Sequence, residues 1–175
     1  MLNQKSHKII YPFLMLALTI NFIVPQSSWA YEQILPLSDA SQTQKKTTRL
    51  EVNLNQRRVF VYEGKNVIKS YPIAIGKRNW ETPTGKFQVS QLLKRPKWIN
   101  PMTGKPIPGG APENPLGTHW IGFWTDGQNW VGFHGTPNPE TVGKAVSHGC
   151  LRMYNRDIKE LFQLVSLGTP VTVIQ

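Results

Sequence analysis

Residues 49–75 read RLEVNLNQRRVFVYEGKNVIKSYPIAI. Leu50, Val52 and Leu54 alternate with polar residues, the period of a strand with one buried face. Residues 58–62 are rich in β-formers, and Glu63-Gly64-Lys65-Asn66 has the composition of a hairpin turn. Val67, Lys69, Tyr71, Ile73 and Ile75 then fall on one side of a third alternating run. The pattern is an antiparallel meander. Phe87, Val89 and Leu92 predict a further strand. Residues 120–124 and 130–134 predict a hairpin turning at Asp126-Gly127, and residues 171–174 a last strand. Helical spacing is clear once: Ile158, Leu161, Phe162 and Val165 follow a candidate cap at Asn155, with Gly168 and Pro170 as stop signals. Asn138-Pro139-Glu140 predicts a short helical turn broken by Gly143. The expected fold is mainly β, a small sandwich or barrel with one docked helix near the C-terminus.

Three flanking or inserted segments differ in composition. Residues 94–118 are rich in Pro and Gly and precede aromatic-rich strands, so they read as a long insertion within one domain. Loops of that length in a small domain are usually lids or binding loops. Residues 31–48 are polar and without periodicity, which predicts a flexible linker. Residues 1–30 carry Lys5 and Lys8 without an acid, then an apolar run over 9–24, then Ser28-Trp29-Ala30. That is the order of a secretory signal, with cleavage expected after Ala30. The alternative is an uncleaved anchor. The apolar run is shorter than a full span and is interrupted by Pro12 and Asn21. The expected organisation is signal 1–30, linker 31–48 and catalytic domain 49–175. No membrane span is expected to remain after cleavage.

The chain has 20 basic and 10 acidic side chains, a formal net charge of +10. Cleavage would remove two lysines and no acid, leaving +8. Such a charge suits an anionic partner such as an envelope polymer, a membrane surface or nucleic acid. The basic residues are scattered without a long run, so a generally basic surface is the stronger reading, and nucleic acid fits an exported chain poorly. There is one cysteine, so no disulfide framework is possible within the chain. A lone thiol kept in an oxidising compartment suggests that it works.

That thiol closes the tetrapeptide Ser147-His148-Gly149-Cys150, with His134 upstream and Arg152 two residues on. Polar, electropositive surroundings favour thiolate. Thiol catalysis needs a nucleophile, a base, a group that orients the base and donors for an oxyanion. Cys150 is the candidate nucleophile. His134, at an expected strand end, is preferred as general acid/base over His148, which lies on the same face as Cys150 but is poorly aimed. Gly149 would let the amides at 149 and 150 face an oxyanion. Arg152 would hold a substrate carboxylate or stabilise thiolate. A zinc site from His119, His134, His148 and Cys150 is the rival, but the spacing lacks any usual ligand pair. No metal or cofactor is therefore expected. His119 reads as an ordinary loop histidine. No GxSxG or SxxK motif is present. The tryptophans at 80, 98, 120, 124 and 130 read mainly as core, with glycan stacking the alternative.

The runs His134-Gly135-Thr136-Pro137-Asn138-Pro139 and Gly143-Lys144-Ala145-Val146-Ser147-His148-Gly149-Cys150-Leu151-Arg152-Met153 closely resemble the signature of the YkuD-type L,D-transpeptidases. So do LEVNLNQRRVFVYEG, Thr82-Pro83-Thr84-Gly85, and Asn114-Pro115-Leu116-Gly117 before Trp120-Ile121-Gly122. The resemblance implies a sandwich-like catalytic domain over residues 48–175 that takes peptidoglycan tetrapeptide stems as acyl donors. It places the nucleophile on Cys150 and the base on His134, with Ser147 and His148 supporting and Gly149 in the oxyanion hole. Arg152, Gly135, Thr136 and Trp120 are the expected substrate contacts. It implies a thioester on Cys150, 3→3 cross-links, acylation by carbapenems, and a place in the periplasm or cell envelope of a bacterium. Water as acceptor would give an L,D-carboxypeptidase instead, and a protein amine would give a wall-attached protein. A non-catalytic wall-binding module is the alternative from another class.

Overall fold

The computed structural model describes residues 47–100 and 102–175. The expected signal and most of the expected linker lie outside the described residues. The first strand starts at Thr48, the last residue assigned to that linker.

The strands in chain order are β1 (Thr48–Asn53), β2 (Arg58–Glu63), β3 (Asn66–Pro72), β4 (Ile75–Gly76), β5 (Gly85–Gln88), β6 (Gln91–Lys94), β7 (Trp98–Ile99), β8 (Pro106–Ile107), β9 (His119–Thr125), β10 (Trp130–His134), β11 (Ala145–Ser147), β12 (Leu151–Arg152) and β13 (Pro170–Ile174). A 3₁₀ turn covers Pro139–Thr141, and the α-helix among the described residues, α1, covers Asn155–Leu164. A five-stranded sheet runs β3-β2-β1-β13-β5 and a four-stranded sheet runs β12-β10-β9-β6. Two small ribbons, β11-β4 and β7-β8, complete the strands, and the first meets the four-stranded sheet through backbone bonds between Ala74 and Arg152.

The first sheet follows from the alternation. Leu50 and Val52 of β1, Val59 and Val61 of β2, and Val171 and Val173 of β13 are all buried in one core. Ile121, Phe123, Val131, Phe133 and Leu151 bring the second sheet to the same core, so the architecture is a sandwich. The two-residue turn Gly64-Lys65 joins β2 and β3, and Gly64 has φ +61°. Helix α1 packs against β9 and β10 and buries Ile158 and Leu161. Each contributes roughly 1.5–3 kcal/mol by leaving water. A 2.7 Å ion pair between Lys69 and Glu160 ties the helix to β3.

Three expectations are corrected and one holds. The run through Phe87, Val89 and Leu92 is two strands in two sheets: Val89 N donates to Thr169 O, and Ser90 N donates to Gly122 O, so the chain changes sheet there. The face from Val67 to Ile75 is buried at Tyr71 and Ile73 but exposed at Val67, because the tip of edge strand β3 extends past the core. The meander β1-β2-β3 is antiparallel as expected, and parallel pairing enters only where β1 meets β13 and β10 meets β12. Asn155 is the first helical residue rather than the cap. Tyr154 precedes the helix without a side-chain cap bond.

The Pro- and Gly-rich segment is ordered around Asn114, which is fully buried. Its Nδ2 donates to Pro96 O at 2.9 Å and Pro108 O at 3.0 Å, and its Oδ1 accepts from Leu116 N at 2.9 Å. One amide side chain thus satisfies backbone groups from both ends of the loop. Among the described residues no helix is long and apolar enough to cross a membrane.

Candidate active site

The outer face of the four-stranded sheet carries the motif. Phe133 pairs with Leu151 and His134 with Arg152 across the parallel β10–β12 ladder. Cys150 immediately precedes β12, so by alternation Cys150, Arg152 and His134 project from the same face, opposite the core residues Phe133 and Leu151. On the other side of β10, Trp120 of β9 pairs with His134, and the two rings stack with centroids 6.0 Å apart. Trp120 Nε1 donates to Gln91 Oε1 of β6 at 3.0 Å.

His134 is 5% exposed. Its Nδ1 lies 2.6 Å from Gly135 O. A carbonyl only accepts, so Nδ1 carries the proton and the neutral ring keeps its lone pair on Nε2. Burial holds the imidazole well below its usual range, at about 4; the carbonyls of Gly135 and Pro115 oppose this, and the Arg152 guanidinium reinforces it.

Cys150 is partly exposed, and its Sγ is 3.5 Å from Trp130 O. Burial of the sulfur raises the thiol pKa, against the opposing pull of the Gly132 amide and Arg152. The expectation of a thiolate-favouring setting is therefore reversed. Desolvation outweighs one amide and one guanidinium, and the resting pair is neutral thiol with neutral imidazole. The Arg152 backbone bonds to Ala74 in both directions, at 2.8 and 3.1 Å, while its guanidinium makes no ion pair or hydrogen bond among the described residues.

The loop before the thiol is held from within. Ser147, fully buried, donates to Cys150 O at 2.6 Å and accepts from Gly149 N at 3.2 Å. Thr82 Oγ1 donates to Gly149 O at 2.9 Å and accepts from Gly76 N at 3.1 Å. Gly149 has φ +106°, a conformation that side chains rarely adopt. Its amide, expected to face an oxyanion, is taken by Ser147. The Cys150 amide has no partner among the described residues and is the donor left for that role. His148 is exposed and meets the Trp80 ring edge-on at 4.7 Å. His119 packs on Phe162 at 4.8 Å. No group of three or more potential metal-ligating side chains converges among the described residues.

Gly135 and Thr136 do not face the cleft as expected. Both are buried and belong to a clamp centred on Asn155. Asn155 Nδ2 donates to Thr136 O at 3.1 Å, and Oδ1 accepts from Thr118 N at 3.3 Å. A Cβ on Gly135 would lie 2.0 Å from Asn155 Oδ1, so the close approach that glycine permits is to this side chain. The clamp joins the segments on both sides of His134. Its only sequence signal was a capping residue, which hid the longer-range role. Asn155→Ala is expected to lower kcat about tenfold with little change in KM, and to cost about 1–3 kcal/mol of stability through the unpaired Thr118 and Thr136 groups. Steady-state kinetics and thermal melts check both. A KM effect alone would place Asn155 in substrate binding.

Two clefts meet at the thiol, sharing Trp130 and Cys150. One, about 300 Å³, is bounded by Gln91, Trp120 and the loop residues Lys97, Trp98 and Leu116. The other, about 460 Å³, is bounded by Trp80, Glu81, Trp124, Asp126 and His148. The tryptophans are therefore mainly site walls. Trp120 is buried, but Trp80 is 53% exposed and Trp130 39% exposed.

A thiol and a buried imidazole on one sheet face, with a cleft on either side, define a site of the cysteine acyl-transfer kind. The L,D-transpeptidase catalytic domain (YkuD) matches residues 47–173, and the chain belongs to that family. A Bacillus licheniformis protein named as an L,D-transpeptidase, YkuD, is 39% identical over 125 residues, which are 71% of this chain and 64% of the relative. The chain thus spans just under two thirds of that relative. Among solved structures, the catalytic domain of the Enterococcus faecium L,D-transpeptidase is 29% identical with a TM-score of 0.56, covering 74% of this chain and 98% of that one. The Ldtfm–avibactam carbamoyl enzyme is 30% identical with a TM-score of 0.58, covering 74% and 49%.

Proposed function

We propose that the protein is an L,D-transpeptidase that joins peptidoglycan stem peptides through a thioester on Cys150. The observation that carries this is the placement of one thiol at the meeting point of two clefts, beside a buried neutral imidazole on the paired strand. A two-substrate acyl transfer needs a donor and an acceptor to reach the same atom in turn.

In the proposed sequence, His134 Nε2 takes the thiol proton as Sγ attacks the carbonyl of the third stem residue. The oxyanion is held by the Cys150 amide. His134 gives the proton to the leaving D-amino acid and the C–N bond breaks, leaving the thioester. An amine of a second stem then attacks, the C–S bond breaks, and the proton returns through His134 to sulfur. Arg152, unpaired on the same face, supplies a positive field for the carboxylates that stems carry. Ser147, His148 and Thr82 hold the nucleophile loop, and Gly135 and Thr136 hold the base.

The cell-wall setting follows from the family, and export rests on the N-terminal pattern. Intact mass of envelope protein should start at Tyr31 if the signal is cleaved. The avibactam carbamoyl enzyme supports the expectation that strained cyclic acyl donors, carbapenems among them, label Cys150.

The test is mass spectrometry after incubation with purified tetrapeptide stems. Expected are a thioester on the protein and a dimer lacking one D-residue. Tripeptide alone would mean water is the acceptor, and no product would leave a binding module. The loop wall gives a separate expectation. Trp98→Ala should raise the KM for donor about tenfold, the scale of one lost aromatic contact. Unchanged kinetics would show that the loop does not shape the donor site.

A further inference from the structure

The two clefts differ in charge, and the difference assigns them. The cleft under residues 94–118 includes Lys97 and no acidic side chain. The opposite cleft includes Glu81 and Asp126 and no basic side chain of Lys or Arg type. Both carboxylates are fixed in place by their own turns. Glu81 Oε1 accepts from Asn79 N at 2.9 Å. Asp126 Oδ1 accepts from Gln128 N at 2.9 Å and Asn129 N at 2.6 Å, and Oδ2 accepts from Asn129 Nδ2 at 3.0 Å. The bonds from Asn129 and Gln128 hold Asp126 at about 2, so it stays ionised. Arg78 acts on Glu81 from outside the cleft lining. Asp126 has no ion-pair partner among the described residues.

The same cleft offers ring surface. Trp80, Trp124 and Trp130 line it, and the first and last are well exposed beside the nucleophile. Fixed carboxylates with exposed indole faces suit an organic cation better than an anion or a neutral sugar. The donor's leaving D-residue puts a carboxylate next to the attacked carbonyl, and that charge is better placed beside Lys97 than beside Glu81 and Asp126. Donor and acceptor cannot share one cleft, because the donor's acyl group remains on Cys150 when the acceptor arrives.

We propose that the cleft bounded by Asp126 and Glu81 is the acceptor subsite, and that it draws a cationic primary amine, the side-chain ammonium of a second stem, to the thioester in preference to water. This rests on the transpeptidase reading. The ammonium loses one proton to solvent before attack. The amine lone pair forms the C–N bond as the C–S bond breaks, and the second proton ends on sulfur. The carboxylates take no proton; they raise the local concentration of the cation.

The experiment separates the two half-reactions. The acyl-enzyme is formed from tetrapeptide stem, and the ratio of cross-link to hydrolysis is measured at subsaturating acceptor. For Glu81→Gln/Asp126→Asn the ratio should fall roughly fivefold relative to wild type, the scale of two exposed charge contacts. Lys97→Gln should slow acylation and leave the ratio alone. The unaltered protein provides an independent check. Raising salt from about 0.05 M to about 0.5 M should lower the ratio for the ammonium acceptor, while capture by uncharged hydroxylamine should not respond. Absence of any thioester in the wild-type protein would overturn the reading beneath the assignment. A normal thioester with an unchanged ratio in the double variant, or with slowed acylation instead, would overturn the assignment itself.

Discussion

Cys150→Ser is expected to lower turnover by roughly 10³-fold or more while the fold and stem binding persist. The thiol resting state is protonated, because burial raises its pKa above the usual range. In the proposed mechanism attack therefore depends on moving a proton to His134 as the C–S bond forms. Burial holds that imidazole at about 4, a weak base. It can assist a thiol, whose anion is soft and strongly nucleophilic. A serine hydroxyl ionises far less readily and leaves the same base with a much harder task. The chain has one cysteine, so any covalent adduct in the wild-type protein has one thiol to occupy. Intact mass should show the stem thioester, and a carbapenem should give a longer-lived adduct. Both should be missing from the variant. Full turnover by Cys150→Ser would end the thiol mechanism, and loss of wild-type activity on chelation with recovery on added zinc would favour a metal site.

Much of the sandwich could be read from local pattern. The alternation at Leu50, Val52, Val59 and Val61 and the turn at Gly64 are short-range signals, and they return as β1, β2 and the hairpin from β2 to β3. Ile158 and Leu161 mark the buried side of α1 as their spacing required. Pairings between distant segments carry no such signal. Nothing in the last strand's sequence states that it lies parallel to β1, or that β12 completes the second sheet beside β10. The change of sheet at Val89 and Ser90 was hidden for the same reason, since an apolar alternation looks alike on either sheet.

The site divides in a similar way. Cys150 and His134 stand out as candidates because few residue types perform nucleophile and base chemistry. Their supports are ordinary polar residues whose meaning lies in what the fold brings near them. Thr82 holds the Gly149 carbonyl from 67 positions upstream, and Asn155 holds the Thr136 carbonyl from beyond the motif. Gly149 shows the limit of reading a glycine locally. Its conformation is special, yet its amide is spent on Ser147, which moves the expected oxyanion donor to the next residue.

His134→Ala is expected to slow acylation by roughly 10²–10⁴-fold near neutral pH and to change the shape of the pH profile. With the wild-type imidazole at about 4, its neutral form predominates at every higher pH, so acylation should have its acid limb near pH 4 rather than near 6.5. The variant has no base and must use the small thiolate fraction, so its rate should climb with pH toward the raised thiol pKa. An acid limb at 6.5 in the wild type, or parallel profiles for the two proteins, would remove His134 from the base role. The same group leaves a mark on stability. Its folded pKa lies below the unfolded value, so below 6.5 the unfolded chain binds the extra proton. Stability is intact above that value and falls as pH drops from 6.5 toward 4, by about 3 kcal/mol in all. The His134→Ala variant should lack that component of acid destabilisation, which denaturant titrations at pH 7 and pH 4 can measure without reference to catalysis.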